Sequence, residues 1–255
     1  MTAARARELE ALRARVARIE GREAAAAGVL PFGDARVDGC LPGGGLPLGR
    51  WHELAGEGTD LETGVSAAAF GARVCARLAG RGQVVWVLQR EDLHAPGLAA
   101  LGLPPHRLIY VAVSNDAEAL AALEDALRTR GVAAAWGEID RVDLTAGRRL
   151  QLACEAGGAT GFVLRRRLYG RRAQAEEGSA AATRWRVASS PSDPGEAPGL
   201  GAPRWRVRLE RCRGGRPGGW IMEADDEANP VRVVAELADH ALPAEPGAAP
   251  LRRAG

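Results

Sequence analysis

The chain has 255 residues, 46% of them apolar, and a formal net charge of +2, which suffices for a buried core and excludes a disordered or low-complexity protein. No apolar run of about 18 residues marks a membrane helix, and the N-terminal MTAARARELEALRARVARIEG lacks the apolar centre of a signal peptide, so the expectation is a cytoplasmic protein without membrane contact. Four cysteines (Cys40, Cys75, Cys154, Cys212) and four histidines are scattered without ligand spacing; this predicts inert thiols, no disulfide frame and no metal site.

Along the chain, Leu9, Leu12, Val16 and Ile19 recur at helical spacing between Arg and Glu, predicting an amphipathic N-terminal helix over 1–28 whose stripe packs on its own domain or on a partner. From 29 to 240 the pattern is that of one α/β domain. The apolar runs GQVVWVLQR, RLIYVAVS, VAAAWGEID and ATGFVLRRR read as strands, and TGVSAAAFGARVCARLAG, DAEALAALEDALRTRG and LTAGRRLQLACEAGG between them as helices. Such alternation predicts a parallel central sheet. Past residue 180, TRWRVASS and PRWRVRLERCRGG alternate with period two and predict two antiparallel strands added to that sheet. GWIMEADD reads as a further strand, NPVRVVAELADHAL as a helix or strand and helix, and 241–255 as a disordered tail.

The segment GEGTDLETGVS resembles a phosphate-binding loop and departs from it. Such a loop needs G-x-x-x-x-G-K-[ST], with backbone amides converging on phosphates, a lysine on the outer phosphates and a hydroxyl on magnesium. Here Gly56, Gly58 and Gly64 are present, but Gly58 to Gly64 is one residue too long and Val65 follows. The whole chain contains no lysine. The segment therefore reads as a glycine-rich strand-to-helix turn, with Ser66 the remaining hydroxyl of a degenerate site, and no cofactor is expected.

LPGGGLPLGRWHELAG resembles the approach to the nucleotide loop of the RecA recombinase family, and VVWVLQREDLHAPGLAALGLPPHRLIYV continues the likeness. Over roughly residues 1–240, with LPFGDARVDGC and GLGAPRWRVRLERCRGG among the matching segments, the chain is most similar to the ImuA family. These are RecA-like accessory proteins of the bacterial damage-induced mutagenesis cassette, acting with ImuB and an error-prone polymerase. The resemblance implies a RecA-like three-layer core with a degenerate ATP site and partners among ImuB-like protein, RecA and the polymerase complex. RecA-type catalytic positions do not carry over. Glu91 lies in the charged QRED cluster, and Gly137 and Glu138 stand where a metal-binding aspartate would close its strand. The expectation is a non-enzyme. A second reading, also by resemblance, is a SulA-like inhibitor that binds the division GTPase; the longer chain, the leading helix and the RWRV pair favour the first.

Between Arg165 and Arg216 thirteen arginines face five acids, so this stretch is strongly basic. Strand alternation puts Arg204, Arg206 and Arg208 on one face and Trp205, Val207 and Leu209 on the other, with Arg184 and Arg186 opposing Trp185 and Val187. Five guanidinium groups would share a face if the strands pair, suited to phosphate or to an acidic partner. The connection holding Arg165, Arg166, Arg167, Arg171 and Arg172 falls where RecA-like proteins carry a DNA-contacting loop, which implies a contact with single-stranded DNA.

Overall fold

A computed structural model describes residues 28–57, 60–166, 179–194, 201–224 and 231–237. Its centre is a nine-stranded sheet. In chain order the elements are β1 (Val29–Leu30), α1 (Ala35–Asp38), β2 (Leu46–Pro47), β3 (Trp51–Gly56), α2 (Asp60–Leu78), β4 (Gln83–Leu88) and α3 (Ala95–Ala100). Then follow a 3₁₀ turn (Pro105–Arg107), β5 (Leu108–Ala112), α4 (Asp116–Arg128), β6 (Val132–Ile139), α5 (Leu144–Gly157), β7 (Thr160–Arg165), β8 (Thr183–Ser190), β9 (Arg204–Cys212), β10 (Gly218–Ala224) and β11 (Val231–Glu236). The sheet runs β11-β10-β9-β8-β3-β7-β6-β4-β5. The six strands from β8 to β5 are mutually parallel, and β9, β10 and β11 extend the sheet antiparallel, so the expected mostly parallel sheet with an antiparallel extension is present. Residues 231–236, expected as a helix or as a strand followed by a helix, form a strand.

Helix ends follow their residues. Asn115 caps α4 by accepting from Glu118 N at 3.0 Å, while the Glu118 carboxylate returns to Ser114 N at 2.9 Å, a reciprocal box. Asp143 caps α5 through Ala146 N at 2.7 Å, and Gly158 closes it in the left-handed region at φ 76°.

One face of the sheet lies under α2 and the β1–α1–β2 segment and is lined by Trp86, Trp136, Phe162, Trp185, Trp205 and Trp220. Several of these rings are register partners. Tyr110 faces Trp86, Trp86 faces Trp136, Trp136 faces Phe162 and Phe162 faces His52 on five successive strands. Trp86 and Trp136 stack with centroids 4.6 Å apart, the cross-strand contact that stabilises pleated sheets. Helix α2 comes close to this ladder at Gly71, where a Cβ would lie 2.0 Å from the Trp136 ring.

The other face is covered by α4 and α5 above β3, β4, β6 and β7, through Trp51, Val85, Val87, Val163, Leu123, Leu127 and Leu150. Among the described residues no helix covers this face of β8–β11. That uncovered half carries the arginines.

Candidate functional site

The alternation expected for the RWRV strands is present. Trp185, Val187, Trp205, Val207 and Leu209 are buried under α2, while Arg184, Arg186, Arg204, Arg206 and Arg208 lie on the opposite face. Arg186 stands directly across from Arg208 in the β8–β9 register. Like charges in such a pair repel, and the fold answers with carboxylates. Arg186 Nε lies 2.9 Å from Glu210 Oε1, Arg206 Nη2 2.7 Å from Glu57 Oε2 and Arg208 Nη1 3.8 Å from Glu57 Oε1. Arg204 and Arg232 both bind the carboxylate of Glu223, which is only 9% exposed. Arg184 forms an ion pair with Glu53 at 3.5 Å. The face is thus an interleaved ladder of arginines and glutamates. Two of its acids, Glu53 and Glu57, come from β3 and its end, far from the basic stretch in sequence.

Arg165 and Arg166, expected together in a DNA-contacting loop, part company because successive residues leaving β7 point to opposite faces. Arg165 Nη1 lies 3.3 Å from Glu53 Oε1 and its Nε donates to Asp140 O at 2.7 Å. Arg166 turns to the α2 side, where Nη1 reaches Glu138 Oε2 at 2.7 Å and Nη2 reaches Asp92 Oδ2 at 3.0 Å. Its side chain is only 12% exposed. Glu138 also accepts from Trp86 Nε1 at 3.4 Å. Burial pushes its carboxyl above the ordinary range, against the pull of Arg166. Glu91 is exposed. Gly58, Arg167, Arg171, Arg172 and the stripe Leu9, Leu12, Val16 and Ile19 lie outside the described residues.

The strand-to-helix turn expected between Gly56 and Gly64 is present and shorter than expected, because the helix begins three residues ahead of Thr63. Strand β3 ends at Gly56 and α2 begins at Asp60, so Gly64 and Ser66 are helical and only residues 57–59 connect the two elements. Ser66 Oγ lies 2.6 Å from Ser189 Oγ of β8. At the end of β3, ahead of the helix, stands the carboxylate of Glu57, taken by Arg206 and Arg208.

Two features of the site are not among the sequence expectations. The first is the acid half of the ladder, whose signal was the period-two placement of Glu53 and Glu57 in WHELAGE. The second is His52, which is fully buried. Its Nε2 meets the Pro47 carbonyl at 2.9 Å and must donate there, so Nδ1 accepts from Thr183 Oγ1 at 2.7 Å. Thr183 Oγ1 in turn accepts from Trp185 Nε1 at 2.7 Å. This chain fastens the β2 turn to β3 and β8, and burial pulls the His52 pKa down to about 4.

The thiols match expectation: Cys40, Cys75, Cys154 and Cys212 are free, the first three buried. Burial pushes Cys154 up to about 12 and Cys212 up to about 11, far from the range of a reactive thiol. Among the described residues no group of three or more His, Cys, Asp or Glu forms a metal-binding cluster, and no helix is long and apolar enough to cross a membrane.

No protein-family profile matches the chain. Protein ImuA of Caulobacter vibrioides, strain NA1000/CB15N, is 56% identical over 222 residues, spanning 83% of this chain and 91% of that protein, and Protein ImuA of strain CB 15 matches equally. The crystal structure of SulA from Pseudomonas aeruginosa overlaps 46% of this chain and 98% of its own, with a TM-score of 0.40 and 19% identity. At 56% identity over most of both sequences, the chain belongs to the ImuA family.

Proposed function

We infer that this protein is a non-catalytic accessory component of damage-induced translesion synthesis, a RecA-type core with a degenerate ATP site that serves as a binding scaffold for an ImuB-like protein, RecA and the error-prone polymerase complex. The observation that carries the role is the 56% identity to ImuA proteins over most of the chain. The non-catalytic half is supported by chemistry at the end of β3. A phosphate would need cations and free amides there; Arg206 and Arg208 are instead matched by Glu57, and no lysine exists to replace them.

The ladder also bears on the choice between DNA and protein. Nucleic-acid affinity grows with the number of phosphates neutralised and falls steeply with salt. Glu53, Glu57, Glu210 and Glu223 are shared among Arg165, Arg184, Arg186, Arg204, Arg206, Arg208 and Arg232, so the face keeps a net positive charge, but each of these guanidinium groups already has a carboxylate partner that a phosphate would have to displace. A protein surface that exchanges ion pairs with the ladder fits better, because orientation and partner choice are what matched charges supply. The exposed members, Arg206 and Arg208, are the natural points of exchange.

Deleting the gene and counting damage-induced mutants tests the role. Loss of most induced mutagenesis, restored by the wild-type gene, is expected; unchanged mutagenesis together with failed division arrest would move the protein to the cell-division reading.

A further inference from the structure

The nine-stranded sheet is finished differently at its two edges. At β11, Arg36 of α1 donates from Nη2 to Val233 O at 3.1 Å, and Arg232 and Glu236 add charge to the strand. At β5 the strand reads LIYVA, with no charge, no proline and no register shift against β4, and Ile109 and Tyr110 are 46% and 41% exposed. Sheet edges are ordinarily blunted by charge, proline or a bulge. An apolar edge with none of these is a pairing surface.

The backbone of β5 says which partner suits it. Val113 N donates to Leu88 O of β4, so by the two-residue period Ile109 and Val111 turn their backbone groups inward, and Leu108, Tyr110 and Ala112 turn theirs outward. The outward set is symmetric about Tyr110. Tyr110 is also the outermost rung of the ring ladder that runs through Trp86, Trp136, Phe162 and His52. Arg107 precedes the strand, and Asp116 and Glu118 follow it in the first turn of α4, so the two ends differ in charge.

We propose that β5 is a homotypic docking strand, on which a second copy of this chain pairs antiparallel about a two-fold axis at Tyr110 and joins two nine-stranded sheets into one. About six backbone hydrogen bonds form at the three outward pairs. Ile109 of each copy comes to lie beside Val111 of the other, and the ring ladder continues through the two tyrosines. Arg107 of each copy lies opposite Val113 of the other, at the end where Asp116 and Glu118 open α4, a complementarity between strand ends that parallel pairing would forfeit. The pairing is independent of which partner the arginine face takes.

Sedimentation of the full chain over a concentration series tests this, alongside Ile109→Lys and Tyr110→Cys. The wild type should dimerise with increasing concentration, and Ile109→Lys should weaken self-association at least about tenfold, a charge on an edge being a known block to pairing. Because Ile109 is exposed, its melting temperature should be unchanged. Tyr110→Cys should give a covalent dimer with oxidised glutathione, two thiols giving up two hydrogens to yield one disulfide and two reduced glutathiones. Opposed residues in a hydrogen-bonded antiparallel pair have Cα atoms about 5.5 Å apart, within disulfide reach. The wild type under the same oxidant should give none. A wild type that stays monomeric at every concentration overturns the proposal, as does a dimer that Ile109→Lys leaves intact and Tyr110→Cys does not cross-link.

Discussion

Arg206 and Glu57 meet at 2.7 Å where β3 ends, ahead of α2, and Arg208 approaches the same carboxylate at 3.8 Å. The chain therefore supplies its own anion to the arginines nearest the start of α2. The consequence for nucleotides is direct. A ligand at a hundred times its Kd raises stability by about 2.7 kcal/mol, so millimolar ATP with magnesium should leave the melting curve of this protein unmoved, and phosphate release should equal the buffer blank. A rise of several degrees, or turnover abolished by changing Ser66, would contradict the scaffold reading.

The arginines of the ladder should not respond alike to substitution. Side chains of Arg206 and Arg208 are 42% and 40% exposed, so the double change to Ser should cost about 1 kcal/mol or less, as for exposed ion pairs. Arg204 is 18% exposed and binds the nearly buried Glu223. Arg204→Ser leaves that carboxylate to Arg232 alone and should cost about 1–3 kcal/mol. Urea denaturation of the two variants checks the ranking. The sequence pattern alone had placed all three arginines in one solvent-facing class.

His52 makes the fold sensitive to acid. Its folded pKa of about 4 lies below the ordinary 6.5, so above pH 6.5 both folded and unfolded chains keep it neutral and it has no effect. As pH falls below 6.5 the unfolded chain takes up a proton that the folded chain refuses, and stability drops until about pH 4. The full loss is on the order of 3 kcal/mol. Urea midpoints measured at pH 7 and pH 5 should differ accordingly, and the His52 ring signals should show no titration above pH 5. A ring that titrates near 6.5 in the folded protein would refute the buried donor–acceptor chain.

Gly71 gives a test of packing against propensity. Alanine in a helix is favoured over glycine by about 1 kcal/mol, which alone predicts a stabilising change in α2. The ring of Trp136 leaves no space for the new methyl. Gly71→Ala should therefore destabilise by about 1–3 kcal/mol through overpacking. Ala at the exposed Gly80, where no atom lies within 4 Å of the added Cβ, serves as the control and should cost little.

The elements that were legible in the sequence are those whose residues announce a period. The alternation of Trp185, Val187, Trp205, Val207 and Leu209 with arginine fixed the orientation of β8 and β9, and the apolar runs located β4, β5, β6 and β7. Illegible features depend on what the topology brings together. Glu53 lies in β3 and Glu57 just past its end, and only the placing of β8 and β9 beside β3 makes them counter-ions for Arg184, Arg206 and Arg208. Arg165 and Arg166 look like one basic cluster in sequence, and the pleat sends them to opposite faces. The helix after β3 is expected from Thr63 and starts at Asp60, so the turn after Gly56 is shorter than the glycine spacing suggests. No local signal marks that competition between loop and helix.

The claim that this chain is a nucleotide-independent scaffold is tested most directly by capture. The purified protein would be incubated with an ImuB-like protein and, separately, with the division GTPase, each with and without ATP and magnesium. The ImuB-like protein should be captured to the same extent in both conditions, the division GTPase not at all, and capture should weaken when Arg206 and Arg208 are both changed to Glu. Capture that requires ATP, or capture of the division GTPase alone, would contradict it.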